Sequence, residues 1–223
     1  MNVGVILVAA GLGTRLGATQ PKAFVRVAGI TLIEHAVTRA FEAADISQIV
    51  IVAPASHLRE AGALVSALPR AADITVIAGG AERTHSVSVG LAALREDVDV
   101  VLVHDAARCL APGSLFDRLV AVVRAGHDAV VPGLAVTDTI KQVDAQGRVV
   151  ATPDRSSLRA VQTPQAFRRT VLAQAHASGV EATDDAALVE RLGSTVTVVE
   201  GDDLAFKVTT AADLERVRRI LGS

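Results

Sequence analysis

Apolar residues along the chain gather in short, Val- and Ile-rich runs that alternate with stretches repeating every three to four positions. The runs predict strands at 3–9, 48–53, 73–77, 98–104, 128–132 and 195–199. Between them the helical spacing predicts helices at 31–44, 57–68, 84–95 and 114–125, and a last one from Thr210 to about Leu221. Thr31 with Glu34, and Thr210 with Asp213, read as capping pairs that start the first and last helices. Strands alternating with helices predict right-handed crossovers and a mostly parallel central sheet, whose ligand crevice lies beyond the carboxyl ends of the strands.

The first such end carries chemistry. Leu7-Val8-Ala9-Ala10 runs into Gly11-Leu12-Gly13-Thr14-Arg15-Leu16-Gly17, and Gln20-Pro21-Lys22 follows. Glycines at 11, 13 and 17 let backbone N–H groups approach an anion, and Arg15 and Lys22 add charge, so the segment reads as a polyphosphate grip. Pro21 keeps Gln20 extended and so fixes where Lys22 projects. A Walker loop is excluded, because no Gly-Lys-Ser/Thr follows the glycines. A dinucleotide loop fits poorly, because the second strand ends in Ala53-Pro54-Ala55-Ser56 without an acidic residue for a ribose.

Two further clusters sit at predicted strand ends. His104-Asp105-Ala106-Ala107-Arg108 follows the fourth strand: Asp105 offers an oxygen ligand for magnesium, and Arg108 can pair with a phosphate or with Asp105. The alternative for that pair is an ion pair locking a turn. His104 reads as a hydrogen-bonded strand-end residue, since nothing in the motif gives it a nucleophile to activate. Gly79-Gly80-Ala81-Glu82-Arg83-Thr84-His85-Ser86 follows the third strand, where two glycines let the backbone meet a flat ligand edge and Ser86 offers a hydroxyl or a cap. Lys207, within Phe206-Lys207-Val208-Thr209-Thr210, either meets an anion or snorkels to solvent.

From about Leu134 to Gln165 the alternation breaks. The pattern there is β-like and polar, with Thr137, Asp138, Thr139 and Lys141, a turn at Ala145-Gln146-Gly147, then Arg155, Arg159 and Thr163. Such an insertion is too long for an ordinary loop, and reads either as a solvated surface hairpin or as an arm that reaches a neighbour or covers a site. Nothing else divides the chain, so a single domain over 1–223 is expected, with 134–165 inserted.

Composition narrows the partners. The 223 residues suffice for a sizeable core, and a 50% hydrophobic content suits a Val-rich sheet under Ala/Leu helices. A net charge of −2 argues against a general nucleic-acid or membrane-surface binder. With no Trp or Tyr and five Phe, a bound base must be read by backbone and small side chains. Cys109 is alone, which excludes an intrachain disulfide or a cysteine metal cluster and fits a reducing cytoplasm. Gly11 and Gly13 interrupt the N-terminal apolar run too early for a signal or spanning segment, so a soluble chain is expected.

Together these motifs resemble one family over nearly the whole chain: the 2-C-methyl-D-erythritol 4-phosphate cytidylyltransferases of the non-mevalonate isoprenoid pathway. The likeness rests on Ala9 through Arg15, Pro21-Lys22, Gly79 through Ser86, Val103 through Arg108, Asp138-Thr139-Ile140-Lys141, Leu158 through Gln165, Thr183-Asp184-Asp185-Ala186 and Lys207-Val208-Thr209. The resemblance implies a Rossmann-like three-layer α/β fold with a protruding β-arm. It implies that Ala9, Ala10, Gly11, Gly80, Ala81 and Ser86 line the cytidine site, joined on the nucleotide by Gly13, Asp105 and Arg108. It further implies that Arg15 and Lys22 stabilise the reacting phosphates and that Asp105 helps hold magnesium or another divalent cation. Thr139, Arg155, Thr163 and Lys207 would hold the acceptor, and the arm would build a homodimer that exchanges residues across a twofold axis. The chain departs from the family in having Ala81 where an acidic residue is frequent, and Ala205-Phe206 where Asn-Ile is common.

The implied reaction suits these residues. A phosphate oxygen of methylerythritol phosphate attacks the α-phosphorus of CTP in line, so the protein supplies positioning and charge and needs no nucleophile of its own. A ribitol 5-phosphate cytidylyltransferase follows the same logic and is the nearest alternative. A nicotinamide-dependent dehydrogenase and a non-catalytic nucleotide-binding module rank below both.

Overall fold

A strand covered on both faces reads as a near-continuous apolar run, and the apolar runs of this chain are placed accordingly. The computed structural model describes residues 2–11, 20–80, 82–179 and 182–222. In chain order they form β1 (Asn2–Val8), a 3₁₀ turn (Lys22–Phe24), β2 (Arg26–Val27), β3 (Ile30–Thr31) and α1 (Leu32–Phe41). β4 (Ile46–Ala53), α2 (Leu58–Ser66), β5 (Ile74–Ala78), α3 (Arg83–Ala92), β6 (Val98–Asp105), α4 (Gly113–Arg124) and β7 (Ala129–Ala135) follow. The last third holds β8 (Gln142–Val143), β9 (Val149–Ala151), β10 (Arg159–Val161), β11 (Gln165–Arg168), α5 (Arg169–Ala177), α6 (Asp185–Arg191), β12 (Val196–Glu200) and α7 (Ala211–Leu221).

An eight-stranded sheet runs through the described residues. β5, β4, β1 and β6 are parallel neighbours, and β12 runs parallel to β7 at the far edge. β11 threads antiparallel between β6 and β7, and β10 pairs antiparallel with the remainder of the same edge of β7. The sheet is therefore mixed, with a parallel body and an antiparallel insertion supplied by the chain returning from the 134–165 region. Alternate side chains serve opposite faces: Ile49, Ile51 and Ala53 join the core under α1, α2, α4 and α7, while Val50 and Val52 join the one under α3, α5 and α6. Those two cores make the three layers.

Every strand and helix expected from the pattern is present, with ends shifted by a few residues. Both capping pairs form: Thr31 and Thr210 accept from the backbone N–H of Glu34 and Asp213, whose carboxylates bond back. Within 134–165, the hairpin β8–β9 is exposed and turns at Gly147 (φ 77°), whereas β10 and Gln165, the first residue of β11, belong to the central sheet. Among the described residues no helix is long and apolar enough to cross a membrane.

Candidate active site

Cross-strand hydrogen bonds continue past the strand ends and set the loops that follow. Ala9 N–H donates to the Val52 carbonyl (2.9 Å), Ala106 N–H to that of Val8 (3.1 Å) and Gly79 N–H to that of Ala53 (2.8 Å). The chain ends of β1, β5 and β6 thereby converge on a cleft of about 190 Å³. Backbone from Ala9 to Gly11, Gly80, Ala106 and Ala107 forms part of its wall, and Lys22, Arg83, Asp105 and Lys207 bring charge to it. Ser86 and Glu82, at the start of α3, also line it.

Gly79 has no space for a side chain. A Cβ there would stand 2.8 Å from Ala10 Cβ, 2.9 Å from Ser86 Oγ and 3.0 Å from Val52 Cγ1. Ser86 Oγ in turn accepts from Gly80 N–H at 3.2 Å, so its hydroxyl pins the second glycine. Gly79→Ala would push β1's loop away from α3, at a cost of about 1–3 kcal/mol for overpacking. We expect a Tm several degrees lower together with weaker nucleotide binding in calorimetry; an unchanged affinity would detach this contact from the site.

Cations surround one carboxylate. Asp105 Oδ2 lies 2.7 Å from Lys207 Nζ, and Asp105 Oδ1 lies 3.7 Å from Arg83 Nε. Burial alone would raise the pKa of Asp105, but Lys207 and Arg83 outweigh it and hold the carboxyl below its ordinary range, so it is ionised. Arg83 Nη1 also donates to Asp185 at 2.6 Å, and that carboxylate has no exposed surface. Burial lowers the pKa of Arg83, yet Asp185 and Asp105 carry it above the ordinary value. Lys22 Nζ donates to the Val208 carbonyl (2.7 Å), and Val208 N–H donates to that of Ala107 (2.8 Å), which ties the segment of Lys207 to the end of β6.

Ala9, Ala10, Gly11, Lys22, Gly80, Ser86, Asp105 and Lys207, all named from sequence, meet in this cleft. Gly13, Arg15 and Ala81 lie outside the described residues. Arg108 turns elsewhere: its Nη1 donates to the Ala205 carbonyl at 2.7 Å, which fixes the strap before Lys207. Ala205 is buried and the Phe206 ring packs 4.0 Å from the Arg216 guanidinium, while Asp202 caps Leu204, so Lys207 is supported by Asp105 and not by Asp202. Thr163, expected on the acceptor, is buried, and its hydroxyl accepts from Asp105 N–H (3.0 Å) and faces His104 Nδ1 (3.1 Å). Thr139 and Arg155 are exposed on the arm, away from the cleft of their own chain; Arg155 donates to the Thr137 carbonyl.

His104 is a strand-end residue packed edge-on against Phe116, and burial lowers its pKa to about 4. The unfolded chain, with an ordinary histidine near 6.5, binds the extra proton between those values, so this group makes stability fall as pH drops from about 6.5 to about 4, by on the order of 3 kcal/mol. The expected result is a shallower loss of Tm across that window in His104→Gln than in the native chain. Equal slopes would refute it. The thiol of Cys109 is also silent: burial pushes its pKa up to about 12.

Sequence reasoning missed Arg83, Glu82, Asp185 and His176. Arg83 lies within Gly79 through Ser86 and Asp185 within Thr183 through Ala186, but their meeting depends on the packing of α3, α5 and α6, which no local spacing encodes.

A family model described as "IspD: 2-C-methyl-D-erythritol 4-phosphate cytidylyltransferase" matches residues 3–223. The 2-C-methyl-D-erythritol 4-phosphate cytidylyltransferase of Nocardia farcinica is 50% identical over 99% of this chain and 94% of its own length. The bifunctional IspD/IspF enzyme of Clavibacter michiganensis is 51% identical over 99% of this chain, which spans 54% of that longer protein. Among solved structures, the cytidylyltransferase of Thermus thermophilus superposes with a TM-score of 0.80 at 32% identity, each chain covered in full. The chain belongs to the 2-C-methyl-D-erythritol 4-phosphate cytidylyltransferase family of nucleotidyltransferases.

Proposed function

We propose that this chain transfers CMP from CTP to 2-C-methyl-D-erythritol 4-phosphate, releasing pyrophosphate and forming 4-diphosphocytidyl-2-C-methyl-D-erythritol. The observation that carries this reading is the convergence of Lys22, Arg83, Asp105 and Lys207 on one cleft at the carboxyl ends of the strands, with Lys207 and Arg83 against Asp105, beside a wall of small residues and backbone. The small residues leave room for a flat base against the backbone of Ala9, Ala10 and Gly80. The cations meet charge that spreads over phosphate oxygens as the α-phosphorus changes partners.

The acceptor's phosphate dianion supplies the nucleophilic oxygen. One bond forms between that oxygen and the α-phosphorus of CTP while the bond to the pyrophosphate leaving group breaks, and no proton has to move. Lys22 stabilises the triphosphate and, with Arg15, the charge that develops on it; Lys207 draws the acceptor's phosphate toward the line of attack. Asp105 fits a hard divalent cation such as magnesium, being an ionised oxygen donor at the cleft, and would hold it with substrate phosphates and water completing the shell. When bound, the ion neutralises charge on the triphosphate.

The arm completes the reading. Ile140, Val143, Val149, Val150 and Val161 are all exposed in this chain, apolar side chains that a second copy would cover. We assign residues 134–165 to that dimer contact, with Thr139 and Arg155 reaching the partner's acceptor site. A cytoplasmic location accords with the single buried thiol. Pyrophosphate release with each of the four nucleoside triphosphates, against methylerythritol phosphate and ribitol 5-phosphate, tests the assignment: CTP with methylerythritol phosphate should dominate. Equal turnover with ribitol 5-phosphate, or a preference for UTP or ATP, would overturn it.

A further inference from the structure

The geometry points to Asp185 as a positioning residue that holds Arg83 at the mouth of the cleft from behind. The carboxylate of Asp185 is wholly out of water, which is costly unless its oxygens are met by strong donors. Two meet them. Arg83 Nη1 donates to Oδ2 at 2.6 Å, and His176 Nε2 donates to Oδ1 at 3.0 Å. A carboxylate has no hydrogen to give, so Nε2 of His176 carries the hydrogen of this bond; its buried Nδ1 has no partner among the described residues. The histidine side chain, itself 3% exposed, is therefore committed to orienting Asp185.

The helix that carries Asp185 is fastened independently. Asp184 accepts from Ala187 N–H (3.0 Å) as the cap of α6 and from Gln165 Nε2 (2.8 Å), while Gln165 Oε1 accepts from Ala186 N–H (3.2 Å). Asp185 is thus fixed to β11, the strand next to β6, whose last residue is Asp105. A single guanidinium joins the two carboxylates, and unequally. Its bond to Asp185 is short and buried, whereas Asp105 lies 3.7 Å off on the cleft side, where Arg83 keeps 29% of its side-chain surface exposed. An anion entering the cleft can replace the longer contact without disturbing the anchor. Fixing a planar fork in advance reduces the entropy lost when it meets a phosphate.

This inference rests on the proposed transfer reaction for its kinetic consequence, but its structural content is separable. Asp185→Asn removes the charge and keeps the shape. With CTP and methylerythritol phosphate it should lower kcat/KM by about 10- to 100-fold, the range for loss of a group that orients a direct ligand. In an Arg83→Ala background the same substitution should cost almost nothing further, because its effect passes through Arg83. His176→Gln, which leaves Asp185 in place, should give a smaller loss that likewise vanishes without Arg83; it serves as the test where Asp185→Asn does not fold. The second readout is ¹⁵N NMR of the arginine side chains, with Arg83 assigned by Arg83→Lys. The native Arg83 signals should show slow exchange and hindered rotation, both lost in Asp185→Asn. Equal losses with and without Arg83, or unchanged Arg83 signals in Asp185→Asn, would overturn the inference. An inactive native protein would instead overturn the proposed reaction, with the NMR comparison still deciding the role of Asp185.

Discussion

Lys22→Ala should lower kcat by about 10²-fold or more with CTP and methylerythritol phosphate while leaving a folded protein, the size of loss typical of one preorganised electrostatic donor. The residue opens a short turn whose fold is secured by others: Phe24 is 1% exposed, and Gln20 Nε2 donates to the Phe24 carbonyl at 3.0 Å. Among the contacts between described residues, Ala loses the bond to the Val208 carbonyl, a net contribution of about 1 kcal/mol. That corresponds to a Tm shift of about 2–4 °C for a chain of this size. Steady-state kinetics and thermal melting of the same preparation separate the two effects. Near-normal kcat with a far lower Tm would make Lys22 a structural residue. Arg15→Ala is expected to behave in the same way.

Mixing two inactive variants should restore activity. If the arm of each chain serves the other's site, a heterodimer of Lys22→Ala and Arg155→Ala subunits carries both defects in one site and neither in the other. Arg155 suits an acceptor phosphate because its planar fork can bind two oxygens at once. Among the described residues of its own chain it donates to the Thr137 carbonyl, on an exposed arm. Random reassortment of equal amounts makes about half of the dimers mixed, each with one intact site of the pair, so about a quarter of native activity should return after subunit exchange. Exchange followed by mass spectrometry, with no gain in activity, would return the arm to its own subunit. A monomer in sedimentation at assay concentrations would do the same.

The legible part of the fold was the part whose pattern is long and whose burial is two-sided. β1, β4 and β6 announce themselves because both faces are covered and nearly every position is apolar. α5 and α6 did not, being 9 and 7 residues long and thus shorter than the window over which a helical period can be read. β11 is 4 residues long, and nothing local says that it inserts between β6 and β7. At the site, glycines and cations near strand ends were readable because the chemistry is written in contiguous loops. The link between Arg83 and Asp185 spans 102 residues and exists only through tertiary packing. The family resemblance placed Thr163 on the acceptor, and in the fold its hydroxyl meets the end of β6.

The central claim is a single direct displacement at the α-phosphorus, performed by charge and position alone. Its most direct test uses CTP made chiral by one sulfur on the α-phosphorus, turned over with methylerythritol phosphate, with the configuration of the product read by ³¹P NMR. One in-line step predicts complete inversion. Retention would demand a covalent enzyme intermediate and a second displacement, and would contradict the account.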